Sequence, residues 1–126
     1  MKIGFTVGVW DLFHEGHLNF LKTAKSHCNF LHVGIMNDYW VRVQKGHENR
    51  PVDSLESRIV NLKKISYVDN IVILDTLDMS QYLQMCHVWI KGEDQKNMRP
   101  IDFANCVFIK RTQGISTTLL INKKDE

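Results

Sequence analysis

The chain has 126 residues, of which 44% are hydrophobic and 24% charged, and a formal net charge of +2. That size suits one domain with a single core, and no apolar run reaches the roughly 20 residues a bilayer-spanning helix needs. The small charge excess calls for neither a nucleic-acid nor a membrane partner. Cys28, Cys86 and Cys106 are dispersed in apolar surroundings, which suits reduced core residues better than a disulfide or zinc framework. The chain runs from Met1 straight into a strand-like segment without a secretory signal, so we expect one cytoplasmic domain over residues 1–126.

Residues 3–10 are β-branched and aromatic with glycine, the composition of a buried parallel strand. From Glu15 to His27 the period changes: Leu18, Leu21, Ala24 and Cys28 recur at helical spacing, while Asn19, Lys22 and Lys25 can face water. Residues 30–36 form a second apolar strand, long enough after the first for one strand-helix-strand crossover. Residues 37–51 are the least regular part, and with 45–51 lacking any apolar period a surface loop is expected there. Asp53 with Glu56 three residues on predicts a capping box. Leu55, Ile59, Leu62 and Ile65 then mark the buried stripe of a second helix. Strands are expected at 71–74, 88–91 and 106–109, a short helix at 80–86, and a last helix capped by Ser116.

Strands alternating with helices predict an open α/β fold with a mostly parallel sheet. Ligands bind such sheets beyond the carboxyl ends of the strands. That rim collects residues 10–17, the loop around Lys45, residues 92–94 and residues 111–117. His14 and His17 stand at i and i+3 on the turn into a helix whose start offers unpaired N–H groups, and Gly16 leaves room for a phosphate to approach. Ser116 and Thr117 offer a second such cradle, and Lys45 and Arg111 add positive charge. These groups are donors and complement a ligand with several phosphates. The two histidines could also cap the helix or share a zinc ion, but no third metal ligand stands at compelling spacing. His27, His32, His47 and His87 are isolated; Trp40 and Trp89 suit the core or a subunit interface.

The chain resembles the small nucleotidyltransferases of the cytidylyltransferase type, glycerol-3-phosphate cytidylyltransferases most closely. Gly8-Val9-Trp10-Asp11-Leu12-Phe13-His14-Glu15-Gly16-His17 matches the family's HxGH element, and Arg111-Thr112-Gln113-Gly114-Ile115-Ser116-Thr117-Thr118 its RTxGIST element. Lys45-Gly46, Asn49-Arg50-Pro51, Glu56-Ser57-Arg58 and Gly92-Glu93-Asp94 are similar to the segments between. The resemblance implies a Rossmann-like open parallel sheet of about five strands with helices on both faces, usually in a homodimer. It implies transfer of a nucleotidyl group from CTP to a small phosphorylated alcohol, glycerol 3-phosphate first, by direct attack on the α-phosphorus with release of pyrophosphate. An ATP-dependent adenylyltransferase acting on a sugar phosphate or flavin phosphate, or a catalytically weak nucleotide-binding module, are the alternatives.

On that resemblance His14 and His17 act on the transferring phosphate, with Lys45 and Arg111 as further catalytic cations. Val9, Trp10, Gly16, Gly92, Asp94, Thr112, Gly114, Ile115, Ser116 and Thr117 line the nucleotide. Asp11 is expected near the substrate or metal and Arg58 near the acceptor phosphate or supporting the site, and Mg²⁺ arrives on the triphosphate without a dedicated carboxylate cage. Val9 stands where the family usually has threonine, which leaves only a backbone contact there. Gln113 replaces a usual glutamate.

Overall fold

A computed structural model describes residues 1–45, 51–75, 84–92 and 105–109, with residues 43–45 and 105 described in backbone only. Eight elements follow in order: β1 (Ile3–Gly8), α1 (Glu15–Ser26), β2 (Phe30–Met36), α2 (Asp38–Lys45), α3 (Leu55–Lys63), β3 (Asn70–Leu74), β4 (Val88–Gly92) and β5 (Asn105–Ile109). The five strands form one parallel sheet in the order β3-β2-β1-β4-β5. It is the Rossmann-like α/β sheet that the resemblance implies.

Period-two alternation sorts the strand residues onto two faces. Leu31, Val33 and Ile35 of β2, with Val88 and Ile90 of β4, meet Leu21 and Ala24 of α1 and Leu62 of α3 on one face. Phe5 and Trp89 pack with Cys86 on the other. Both faces are therefore covered, which explains why β2 and β4 read as near-continuous apolar runs. Full burial of each large aliphatic side chain contributes about 1.5–3 kcal/mol.

The sheet is not uniformly zipped. β1 pairs with β2 over six positions, from Ile3 opposite Phe30 to Gly8 opposite Ile35. It pairs with β4 at only two, Gly4 opposite Val88 and Phe5 opposite Trp89, although β4 keeps five pairs with β5 out to Gly92 and Ile109. Beyond Phe5 the two strands part, and the buried Thr6 hydroxyl bridges them by donating to the Ile90 carbonyl at 2.8 Å. The chain also reverses direction of travel across the sheet between β1 and β4. A crevice at this switch point follows from the topology.

Several elements differ from the sequence expectation. Residues 37–51 are not all loop: Asn37 caps α2, its side chain accepting from the Trp40 N–H at 2.9 Å, and Val41 is fully buried. The cap of α3 is Ser54, whose hydroxyl accepts from Ser57 N–H, because Asp53 is engaged elsewhere. Leu18 lies exposed and not in the buried stripe of α1. β1 stops at Gly8, since Trp10 and Leu12 have φ of 58° and 46°. Residues 84 and 85 of the expected helix at 80–86 form a turn; its other early residues, 80–83, and the expected last helix lie outside the described residues. No helix among the described residues is long and apolar enough to cross a membrane.

At the amino-terminal edge, Lys25 pairs with Asp69, whose carboxylate also accepts from Leu31 N–H at 2.8 Å. Burial opposes ionisation of Asp69, but the Lys25 and Leu31 bonds outweigh it and hold the carboxyl below its ordinary range. His32 takes the opposite balance: burial lowers its pKa despite the pull of Asp69, and Asn70 Nδ2 lies 3.1 Å from its Nδ1.

Candidate active site

The carboxyl end of β1 runs into a turn held from three sides. Trp10 folds its indole back over Gly8, where a Cβ would come within 2.8 Å of the ring; a side chain there would displace it. The indole is buried and donates from Nε1 to the Gly34 carbonyl of β2 at 3.0 Å. Asp11, 1% exposed, accepts from Val52 N–H at 2.7 Å and Asp53 N–H at 2.8 Å with its two oxygens. Asp53 answers by accepting from Leu12 N–H at 3.1 Å. These bonds fix the left-handed backbone at Trp10 and Leu12, a conformation that costs a non-glycine residue about 1–3 kcal/mol and persists only where surroundings enforce it.

The turn delivers His14 as the N-cap of α1. Its Nδ1 accepts from Gly16 N–H at 3.0 Å, while His17 Nδ1 accepts from His14 N–H at 3.2 Å. This is a capping box built from two imidazoles. Serine and glutamate in these positions would use oxygens; imidazole Nδ1 lone pairs do the same job here. Two consequences follow from ring chemistry. Each Nδ1 is occupied as an acceptor, so the neutral ring carries its proton on Nε2, which becomes a donor. The rings also stack at 3.9 Å between centroids, with Trp10 edge-on to His17 at 5.6 Å and Phe13 at 5.2 Å. Two donors are thus oriented beside a helix start that already favours anions.

Arg58 sits beneath the turn. It is fully buried, donates from Nη1 to the carbonyls of Val9 and Met36 at 2.8 Å each, and from Nη2 to Asp38 at 2.5 Å. It ties the carboxyl ends of β1 and β2 to the first turn of α2. Asp11 and Arg58 both bond the protein's own backbone and shape the turn, for Arg58 the supporting place that was one of its two expectations. Trp10, too, packs in the core.

The structure brings together Val9, Trp10, Asp11, His14, Gly16, His17 and Arg58, and sets Gly92 at the end of β4 across the crevice. Lys45 ends α2, its side chain outside the described residues, as are Asp94, Arg111, Thr112, Gly114, Ile115, Ser116 and Thr117. Asp38 and Asp53 were missed as site-shaping residues. Lys91 was read only as a strand end; a lysine closing the run Val88-Trp89-Ile90 was the signal. Among the described residues no three His, Cys, Asp or Glu are grouped to hold a metal ion.

A parallel sheet with a crevice at its switch point, a strained turn after the central strand and a helix start flanked by two imidazoles define an α/β protein whose sheet rim suits an anionic ligand. The chain belongs to the cytidylyltransferase-like family of nucleotidyltransferases, whose model matches residues 5–123. It is 33% identical over 135 residues to the bifunctional protein HldE of Hyphomonas neptunium, covering 99% of this chain. To the protein of that name from Campylobacter jejuni subsp. jejuni it is 36% identical over 128 residues, covering 97%. The chain spans 27% of the length of these relatives. Among solved structures, the lipopolysaccharide core biosynthesis protein of Thermoplasma volcanium superposes with a TM-score of 0.75 at 23% identity, covering 89% of this chain and 98% of that one. A bifunctional NMN adenylyltransferase/ADP ribose pyrophosphatase of Francisella tularensis, complexed with AMP and a Mn ion, superposes with a TM-score of 0.67 at 16% identity, covering 97% and 41%. Both share the fold.

Proposed function

We propose that the chain transfers a nucleotidyl group from a nucleoside triphosphate to a phosphorylated alcohol. An oxygen of the acceptor's phosphate attacks the α-phosphorus; the new P–O bond forms as the bond to pyrophosphate breaks, and its electron pair leaves on pyrophosphate. The nucleophile is already an anion, so the protein's work is in-line positioning and neutralisation of developing charge. The observation that carries this reading is the reciprocal cap, which turns both Nε2–H groups into preorganised donors. His14 and His17 take the α-phosphate and its bridging oxygen. Asp11 and Arg58 hold Val9 and the turn in place. Lys45, Arg111, Ser116 and Thr117 complete the triphosphate cradle, and Mg²⁺ arrives with the triphosphate. The Mn ion bound to the Francisella relative lends support to a divalent cation.

CTP with a small phosphorylated alcohol, glycerol 3-phosphate foremost, is the leading pair, on the RTxGIST wording of residues 111–117. Adenylyl transfer from ATP is the second reading, favoured by the AMP in the Francisella relative. Pyrophosphate release across a grid of triphosphates and phosphorylated alcohols decides between them: turnover with ATP alone refutes the cytidylyl assignment. His14→Asn and His17→Asn test the mechanism. Asparagine keeps an acceptor near the position of Nδ1 and suits a cap, but lacks the Nε2–H. Each variant is expected to melt close to wild type and to lose about 100-fold or more in turnover, the worth of one preorganised donor. Near-normal rates would remove the histidines from the chemistry.

A further inference from the structure

One charged group in the described structure is used by none of the roles assigned above. Lys91 is 2% exposed. Its Nζ is buried without a hydrogen-bond partner among the described residues and rests 3.7 Å from the centroid of the Trp89 ring. A cation–π contact offsets only part of the cost of burying an ammonium. Structural lysines are rarely left in this state, and a buried polar group without a partner at a binding edge points to a missing one.

Its place says what the partner is. Lys91 lies opposite Phe108 of β5 in the penultimate pair of β4, beyond the last pair that β4 makes with β1. It therefore flanks the crevice where the two strands have separated. Alternation puts it on the face of Phe5 and Trp89, whereas α1, with the two histidines at its start, covers the other face. In an in-line displacement the entering and leaving oxygens stand on opposite sides of the phosphorus. If the histidines hold the α-phosphate and its leaving side, the nucleophile enters from the side of Lys91.

We propose that Lys91 is the binding residue for the acceptor's phosphate, its ammonium presenting the attacking oxygen to the α-phosphorus. This rests on the nucleotidyl-transfer reading above. The stem is flexible and ends in three donors, so it can exchange the indole face for phosphate oxygens.

The test is steady-state kinetics of Lys91→Met, which keeps the length and apolar stem, with Lys91→Gln in parallel. Acceptor and triphosphate are varied separately, and unliganded melting temperatures are recorded. We expect the acceptor KM to rise about tenfold to a hundredfold, the loss of one charge-assisted phosphate contact, while the triphosphate KM stays within about twofold. The unliganded methionine variant is expected to melt above wild type, because an uncompensated buried charge is gone. An unmoved acceptor KM in a folded variant overturns the assignment of Lys91 while leaving the reaction standing. Wild-type protein that releases no pyrophosphate with any pair overturns the reaction and this role together. If neither variant folds, Lys91 is a core residue and the assignment falls.

Discussion

Arg58→Met removes the clamp under the turn and replaces it with an apolar chain of similar reach. Three charge-assisted bonds go, to Val9, Met36 and Asp38, leaving two carbonyls at strand ends that no longer face a donor. Breaking a buried charged group away from its partners costs about 3–5 kcal/mol. The Nε, buried without a partner among the described residues, returns about 1 kcal/mol when it is deleted, which places the net at roughly 2–4 kcal/mol. For a chain of 126 residues each kcal/mol corresponds to about 4 °C of melting temperature, so a drop of about 8–16 °C is expected. Circular-dichroism melts and urea titration read this directly, and turnover should fall with it because the Val9 backbone is released. The opposing idea, that Arg58 binds the acceptor, predicts a raised acceptor KM with an unchanged melt. A variant melting within about 3 °C of wild type would refute the clamp.

Asp11→Asn keeps size but sets an amide NH₂ against one of the two backbone N–H groups it receives. A loss of about 2–3 kcal/mol is expected, seen as faster hydrogen exchange at Val52 and Asp53; unchanged protection would count against the reciprocal pinning. Gly8→Ala drives a methyl into the Trp10 indole, which its bond to Gly34 keeps from yielding. Destabilisation of about 1–3 kcal/mol with a red-shifted tryptophan emission should follow, and native emission would show that the ring can move. His32 is lowered by burial from its ordinary value near 6.5, so the unfolded chain takes up its proton first. Its contribution to stability is present above pH 6.5 and is lost as the pH falls toward the folded value. The difference in melting temperature between His32→Gln and wild type, followed from pH 7.5 to 5, should narrow on acidification; a constant difference would contradict this.

What could be read from the sequence was the part written in side-chain period. β2 was recovered residue for residue, because Leu31, Val33 and Ile35 face one core and the intervening positions are also sheltered. The place of the histidine pair at a helix start beyond the first strand was likewise legible, since the change of period from strand to helix marks that turn. The α2 helix was not. Among its described side chains only Val41 is fully buried, and Asn37 offered a cap without an apolar stripe behind it. Asp53 was misassigned for a different reason. A carboxylate three residues before Glu56 fits a local cap, and only the fold reveals a stronger engagement with Leu12, 41 positions away. The partners of Arg58 were hidden for the same cause: they come from three other segments.

The sparse seam between β1 and β4 also sets an order of assembly. The first strand of the chain ends up in the middle of the sheet, but its second neighbour starts only at Val88, and the hydroxyl strap from Thr6 reaches 84 residues ahead. β2 and β3 can dock on β1, with α1 and α3 laid over them, long before that neighbour exists. β4 must then close a loop of that length to meet a strand that has been waiting, and closures of this separation are the slow ones. In a growing chain the aromatic face of Phe5 stays uncovered until Trp89 arrives. The parted seam at the switch point is thus joined late, with only the pairing of β5 on β4 still to follow.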